Sequence, residues 1–289
     1  MTLARVRAQR AKVAVVGHIE WVQFARVAHV PLAGEVVHAH DAFEEPAGGG
    51  GVASVQLARL AGDSVLVTAL GEDEQGRRSV ARLRELGVEV RASWRAQPTR
   101  RAVTLVDDAR ERTITTIGRR LEPLGADAEA GWDTLAGLDA VYFTAGDLDA
   151  LRAARRATRV LVASPRAVHA LGHGVQLDAL VLSAHDEIER READRAEGDA
   201  ALLVLTDGAH GGSYRARSGA AGTWAAAAPP GEPVDSYGCG DSFAAGLTYG
   251  LGAGLSVSES IALGARCGAM CLTGSGPYER QLSARDLTG

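Results

Sequence analysis

Lysine is almost missing from this chain, Lys12 being the single one among 31 basic side chains. A P-loop takes a lysine after its glycines, a protein kinase takes one on a strand, and a pyridoxal enzyme takes one for its Schiff base. Lys12, at the edge of the first apolar run, serves none of these, so any phosphate must be met by backbone amides, arginines and a metal ion. Cysteine is scarce too. Cys239, Cys267 and Cys271 give no disulfide framework and no Cys-x-x-Cys spacing, which points to a reducing cytoplasm. Aromatics make up 4% of the chain and the net charge is −5 with no basic block, which argues against a general nucleic-acid or anionic-membrane binder. No apolar run approaches a membrane span, and Val13-Ala14-Val15-Val16 is too short for a signal-peptide core, so Met1 to Arg10 reads as a ragged lead into the first strand. No Pro/Ser-rich linker divides the 289 residues, which favours one main domain. No Gly-x-Ser-x-Gly elbow supports a hydrolase triad, and no dinucleotide fingerprint follows Gly17.

What the chain does have is concentrated in Val234-Asp235-Ser236-Tyr237-Gly238-Cys239-Gly240-Asp241-Ser242-Phe243. Gly238 and Gly240 remove side chains from a turn, and Phe243, Leu247 and Leu251 then recur at helical spacing. The first amides of such a helix have no intrahelical carbonyl and lie at the positive end of its dipole, so a phosphate can sit there without a cationic side chain. Asp241 lies in that first turn, where its ionised form is favoured and where it can take a proton from an alcohol. A plain helix cap is the other reading of Asp241 and Ser242. Cys239, at the same helix start, is expected to have a lowered thiol pKa.

The remaining chain reads as α/β. Val13 to Gly17 is a buried strand, Glu35 to Phe43 an exposed one, and Gly48-Gly49-Gly50-Gly51 opens a helix from about Val52 to Ala61. Val65 to Leu70 is a strand. Gly71-Glu72-Asp73-Glu74-Gln75-Gly76 is a polar turn, and a helix with Val80, Leu83 and Leu86 on one face stops at Gly87. Arg101 to Val106 and Arg112 to Ile117 alternate and read as a hairpin, forming with the segment near Val36 a small sheet off the main body. Strands at Ala140–Phe143, Val160–Val162, Ala179–Leu182 and Ala201–Leu205 then alternate with helices, as in a parallel sheet whose strand ends share one ligand-binding edge. An Ala-rich helix from about Val257 to Leu272 leads to Thr273-Gly274-Ser275-Gly276, a loop suited to flank a nucleotide base. His169 with His173, and His38 with His40, read as ordinary surface histidines, for want of a third ligand.

Asp235-Ser236-Tyr237-Gly238-Cys239-Gly240-Asp241 resembles the D-T-x-G-A-G-D signature of the ribokinase, or PfkB, family of sugar and nucleoside kinases. Gly17, the glycine run leading into Leu57-Ala58-Arg59-Leu60, the Gly71–Gly76 turn, Gly87-Val88, Arg112-Thr113-Ile114 and Thr206-Asp207-Gly208-Ala209-His210-Gly211 follow the family's order. The resemblance implies a ribokinase-like three-layer α/β/α sandwich with a mainly parallel central sheet. It also implies a small β-sheet lid, here at about 18–46 and 94–119, within one domain spanning 1–289. It makes Asp241 the catalytic base, the amides of Gly238, Cys239 and Gly240 the anion hole, and Thr206, Gly208, Gly211, Asp235 and Gly274 contacts to ATP. Glu20, Gly49 and Gly50 fall on the acceptor side. ATP, Mg²⁺ and a monovalent cation are the implied cofactors, and a homodimer with lids in contact is implied as well.

The chain departs from that family in three places. The Gly-Ser-x-Asn-x-Asp that grips sugar hydroxyls is here Gly17-His18-Ile19-Glu20-Trp21-Val22, with Val22 in place of Asp, and the Asn expected after the glycine run is Val52 or Ala53. Glu20, His18 and Gln23 are polar replacements. The acidic metal segment becomes Ser183-Ala184-His185-Asp186-Glu187, with Glu187 as its substitute ligand. The expected function is ATP-dependent phosphorylation of a hydroxyl on a small sugar or polyol. Two alternatives remain open. One is a nucleoside kinase with Trp21 or Phe24 stacked on the base, and the other is a catalytically weak nucleotide- or sugar-binding regulator.

Overall fold

The computed structural model describes residues 11–287, and the lead from Met1 to Arg10 lies outside them. The chain opens with β1 (Val13–Val16), β2 (Glu20–Arg26), β3 (Asp41–Ala47), α1 (Gly48–Ala61), β4 (Ser64–Gly71), α2 (Glu74–Glu85) and β5 (Val88–Arg95). Next come β6 (Arg101–Val106), β7 (Arg112–Ile117), β8 (Leu138–Phe143), α3 (Leu148–Ala157), β9 (Thr158–Ala163), β10 (Ala179–Ser183) and α4 (Glu187–Ala196). It closes with β11 (Leu202–Thr206), β12 (Gly212–Ala216), β13 (Ala221–Trp224), α5 (Cys239–Gly252) and α6 (Val257–Cys271).

Nine strands form the large sheet in the order β13-β12-β11-β10-β9-β8-β1-β4-β5, parallel from β5 to β11 and antiparallel at β12 and β13. Alternation along a strand sends neighbouring residues to opposite faces. In β1, Val13 and Val15 join the core beneath α1, α2, α5 and α6, while Ala14 and Val16 join the one beneath α3 and α4. Both faces are covered, which is why these strands read as continuous apolar runs. The result is a three-layer α/β/α sandwich.

A second sheet, β3-β2-β6-β7, stands apart from it. Here β2 runs parallel to β6, and the outer pairs are antiparallel. Its own small core joins Val22, Phe24, Ala47 and Ala102 to Val52 of α1 and to Tyr237 of the glycine turn, so the lid is packed onto the site. The hairpin bounds of β6 and β7 are those expected.

Two expectations need correction. The strand placed at Glu35 to Phe43 begins only at Asp41, the preceding residues being largely exposed loop. The helix expected from Val52 begins at Gly48, so the glycine run lies inside it. Glycine in a helix costs about 1 kcal/mol relative to alanine. The run is kept because a Cβ on Gly50 would fall 2.7 Å from the His18 carbonyl oxygen, and one on Gly17 would fall 2.9 Å from the Gly50 Cα. The backbone of α1 and the turn after β1 touch without side chains between them.

Candidate active site

The adjacent parallel strands β1, β8 and β9 end on one edge, and they deliver His18, Thr144 and Arg166 side by side just beyond it. Facing them is the start of α5. Gly238 takes the left-handed conformation (φ 82°), and no side chain caps the helix. Space beyond the Cα of Gly240 is open, with no atom within 4 Å of where a Cβ would stand. The helix start thus offers unobstructed backbone amides at its positive end, the donor set a phosphate takes. Of the three amides expected there, that of Cys239 already donates a long 3.4 Å bond to the Ser236 carbonyl.

Asp241 hangs from this first turn toward α1 and the strand edge. Its Oδ1 lies 3.4 Å from Nη1 of Arg166, and a Cβ added to Gly49 would sit 3.1 Å from that oxygen and 2.9 Å from the Thr144 hydroxyl. Gly49 is therefore the floor between carboxylate and strand edge. The neighbouring Gly48 plays the same part for His18 and Glu20, whose side chains would each lie 3.2 Å from its Cβ. His18, Glu20 and Thr144 are all buried. Nδ1 of His18 and Oγ1 of Thr144 have no hydrogen-bond partner among the described residues, and Glu20 forms a 3.3 Å ion pair with Arg100. Buried polar atoms without partners are rare, and ones that line a cleft are where a ligand or ordered water would bind. Burial, reinforced by the charges of Arg120, Arg166 and Arg100, holds the His18 pKa well below its ordinary value, so its imidazole is neutral. Burial also raises the Glu20 carboxyl, although Arg100 opposes the rise.

The nucleotide-side residues sit in a second group. Thr206 ends β11 with its hydroxyl donating to the Leu182 carbonyl, and Gly208 turns at φ 53° into open space. Gly211 (φ 86°) has a packing reason as well, since a Cβ there would meet the Trp224 carbonyl oxygen at 2.0 Å. Gly274 is pressed by the Arg280 backbone. Asp235 is spent inside the protein. Its two carboxylate oxygens accept the amides of Tyr237 and Gly276, tying the glycine turn to the Thr273–Gly276 loop.

Other expectations are corrected here. Cys239 does not have a lowered pKa, because a hydrogen bond with Cys271 and burial push its thiol well above the ordinary value. Glu187 is exposed in the first turn of α4, and the carboxylate turned inward is Glu189. Among the described residues no three His, Cys, Asp or Glu side chains converge on a metal position, so a Mg²⁺ here would be held chiefly by nucleotide phosphates and water, with one or two carboxylates at most. His38, His40, His169 and His173 are exposed, as expected. Trp21 carries the Arg78 guanidinium 4.3 Å over its ring, and Phe24 is stacked on Phe43 and met edge-on by Tyr237, so both rings are engaged within the protein.

Sequence reasoning missed Arg166 and Glu189. Arg166 Nε lies 2.7 Å from Glu189 Oε1 and its Nη1 reaches Asp241, so one guanidinium bridges two carboxylates 52 residues apart in the chain. Desolvation of this partly buried side chain would lower its pKa, but the charges of Asp241 and Glu189 more than offset this and raise it, so the guanidinium stays charged. No motif marks these residues. The one hint was the scarcity of lysine.

Comparison with known proteins agrees with this arrangement. The profile of the pfkB family carbohydrate kinases matches residues 10–170 and 174–284. The acarbose 7(IV)-phosphotransferase of Actinoplanes sp. is 41% identical over 100 residues, a match spanning 34% of this chain and 33% of that protein. Among solved structures, ribokinase from Giardia lamblia superposes with a TM-score of 0.78 at 15% identity, covering 96% of this chain and 98% of that one. Arabidopsis thaliana ribokinase complexed with ribose and ATP gives 0.73 at 16% identity, covering 97% and 98%. These two likenesses establish the fold.

Proposed function

Because the chain belongs to the pfkB family of carbohydrate kinases, we propose that it transfers the γ-phosphoryl group of ATP to a hydroxyl of a small sugar or polyol. The observation that carries this reading is the position of Asp241. One carboxylate stands at an open helix N-terminus and also at the floor of a buried polar cleft. Asp241 is the general base. It takes the acceptor proton as the acceptor oxygen bonds to phosphorus, and the electron pair of the broken bridging P–O bond leaves with ADP. The amides of Gly238, Cys239 and Gly240 receive the phosphate charge. The Thr206–Gly211 turn and Gly274 flank the nucleotide.

The acceptor lies over Gly48 to Gly50, where His18 Nδ1 and Thr144 Oγ1 orient it with atoms that otherwise lack partners and Glu20, paired with Arg100, stands beside them. Val22 is buried in the lid core and offers no hydroxyl clamp of the kind usual in the family, which supports an acceptor held by other groups. The relative named for acarbose supports a sugar-like acceptor. The exposed outer strand β7 is our candidate for pairing two copies through the lid, which sedimentation would show. No helix among the described residues is long and apolar enough to cross a membrane. The free thiols are in keeping with a cytoplasmic setting.

The test is transfer of label from γ-labelled ATP across a panel of sugars, polyols, amino sugars and nucleosides. A labelled sugar or polyol is the expected product. A labelled nucleoside would move the acceptor to the alternative class, and no labelled product with ATP still bound would favour a regulator.

A further inference from the structure

Phosphoryl transfer spreads negative charge over the equatorial oxygens of the moving group, and proteins meet that charge with lysine, arginine or bound metal. This chain has a single lysine, and no three His, Cys, Asp or Glu side chains among the described residues converge on a metal position. It does have one guanidinium in contact with the carboxylate that takes the acceptor proton. Arg166 follows β9 at the ligand-binding edge of the sheet, beside Thr144 after β8. Its Nε is 2.7 Å from Glu189, which is itself buried and fixed by accepting the Ser183 amide, and its carbonyl accepts from Arg120. The residue is therefore held at its backbone and at Nε, yet 41% of its side-chain surface stays open, and a guanidinium has five donors of which two face carboxylates.

We propose that Arg166, clamped by Glu189, is a catalytic residue that contacts the transferring phosphoryl group. This rests on the kinase reading. In the step, the acceptor oxygen bonds to phosphorus and the bridging P–O bond breaks. The leaving pair stays on ADP, the proton goes to Asp241, and Arg166 faces the equatorial oxygens throughout. Arginine suits the task because its planar fork binds phosphate and carboxylate oxygens together, which the point charge of lysine does less well. Glu189 is a positioning residue that acts through Arg166.

The experiment is calorimetric titration of wild type, Arg166→Gln and Glu189→Gln with ADP and with the non-hydrolysable analogue AMP-PNP, each in MgCl₂. The two ligands differ in the γ-phosphoryl group. Wild type is expected to prefer AMP-PNP. Arg166→Gln should lose about tenfold or more of that preference while its ADP affinity is unchanged. Glu189→Gln should lose a smaller factor, so the test does not depend on one variant folding. If both variants keep the wild-type preference, or if wild type has none, Arg166 does not contact the phosphoryl group and the kinase reading stands without it. If wild type binds neither nucleotide, the kinase reading and this proposal fall together.

Discussion

Gly49 shows how narrow the tolerances at this site are. Any side chain there would push on the Thr144 hydroxyl at 2.9 Å and on Asp241 Oδ1 at 3.1 Å, both closer than ordinary contact. Gly49→Ala is therefore expected to move the base and fill the acceptor floor. A displacement of about 1 Å at a reacting group can cost a hundredfold. Steady-state assay should show kcat/KM falling by about that factor while the melting temperature changes little, alanine being the better helix former. His18 has a consequence for pH. Its folded pKa lies below the value of 6.5 it has when unfolded, so between the two the unfolded chain binds more protons and stability rises with pH. The protein should lose stability as pH drops below about 6.5 toward the folded pKa. His18→Gln should flatten that part of the curve, which thermal melts across pH 5 to 7 would show. Glu20 titrates with the opposite sign, because its raised pKa makes the folded chain bind more protons just above the ordinary carboxylate value. The His18 contribution is thus isolated by the difference between the two proteins.

At the scale of elements, the start of α5 depends on Gly238. Its φ of 82° lies in the left-handed region, and a Cβ would stand 3.0 Å from Val52 of α1. Gly238→Ala should cost roughly 1–2 kcal/mol from the backbone alone, read as a lowered midpoint in urea unfolding. It should also weaken nucleotide binding, because the amides turn with the residue. The same scale shows what the sequence could reveal. The doubly covered strands were legible because burial on both faces leaves an apolar run. Strand β2 was not, because Glu20 and Gln23 interrupt the apolar pattern of a stretch whose Val22 and Phe24 build the lid core. Strands β12 and β13 are short and half exposed, with Gly212 and Gly222 at inward positions where a strand pattern expects apolar side chains. Glu189 was hidden by helix phase. Ile188, the residue an amphipathic reading would bury, is 67% exposed, and α4 turns its glutamate inward instead.

For the whole molecule, the legible part of the site was local and the hidden part was tertiary. Asp241 and its glycines lie within one turn and could be read as a phosphate site. Arg166 meets Asp241 across 75 residues, and only the assembled sheet edge brings them together. The lid depends on the fold in the same way. Arg112 of β7 reaches over to donate to both the carbonyl (2.8 Å) and the hydroxyl (3.0 Å) of Ser236, fastening the lid to the turn that carries the anion site. Arg82 of α2 holds Glu45 of β3 from the other side at 2.8 Å. Arg112→Ala should leave the core sheet intact and loosen lid closure. The expected result is an acceptor KM several times higher with the midpoint of unfolding little changed, because exposed polar pairs contribute only about 0–1 kcal/mol to stability.

Everything at this site turns on Asp241 serving as the base of a phosphoryl transfer. The most direct measurement is acceptor-dependent ADP release from Mg-ATP by wild type and Asp241→Asn, run side by side on the acceptor that takes label best. Wild type should turn over, and Asp241→Asn should lose about a hundred- to ten-thousand-fold in kcat with ATP affinity retained. Equal turnover by the two proteins would contradict that role.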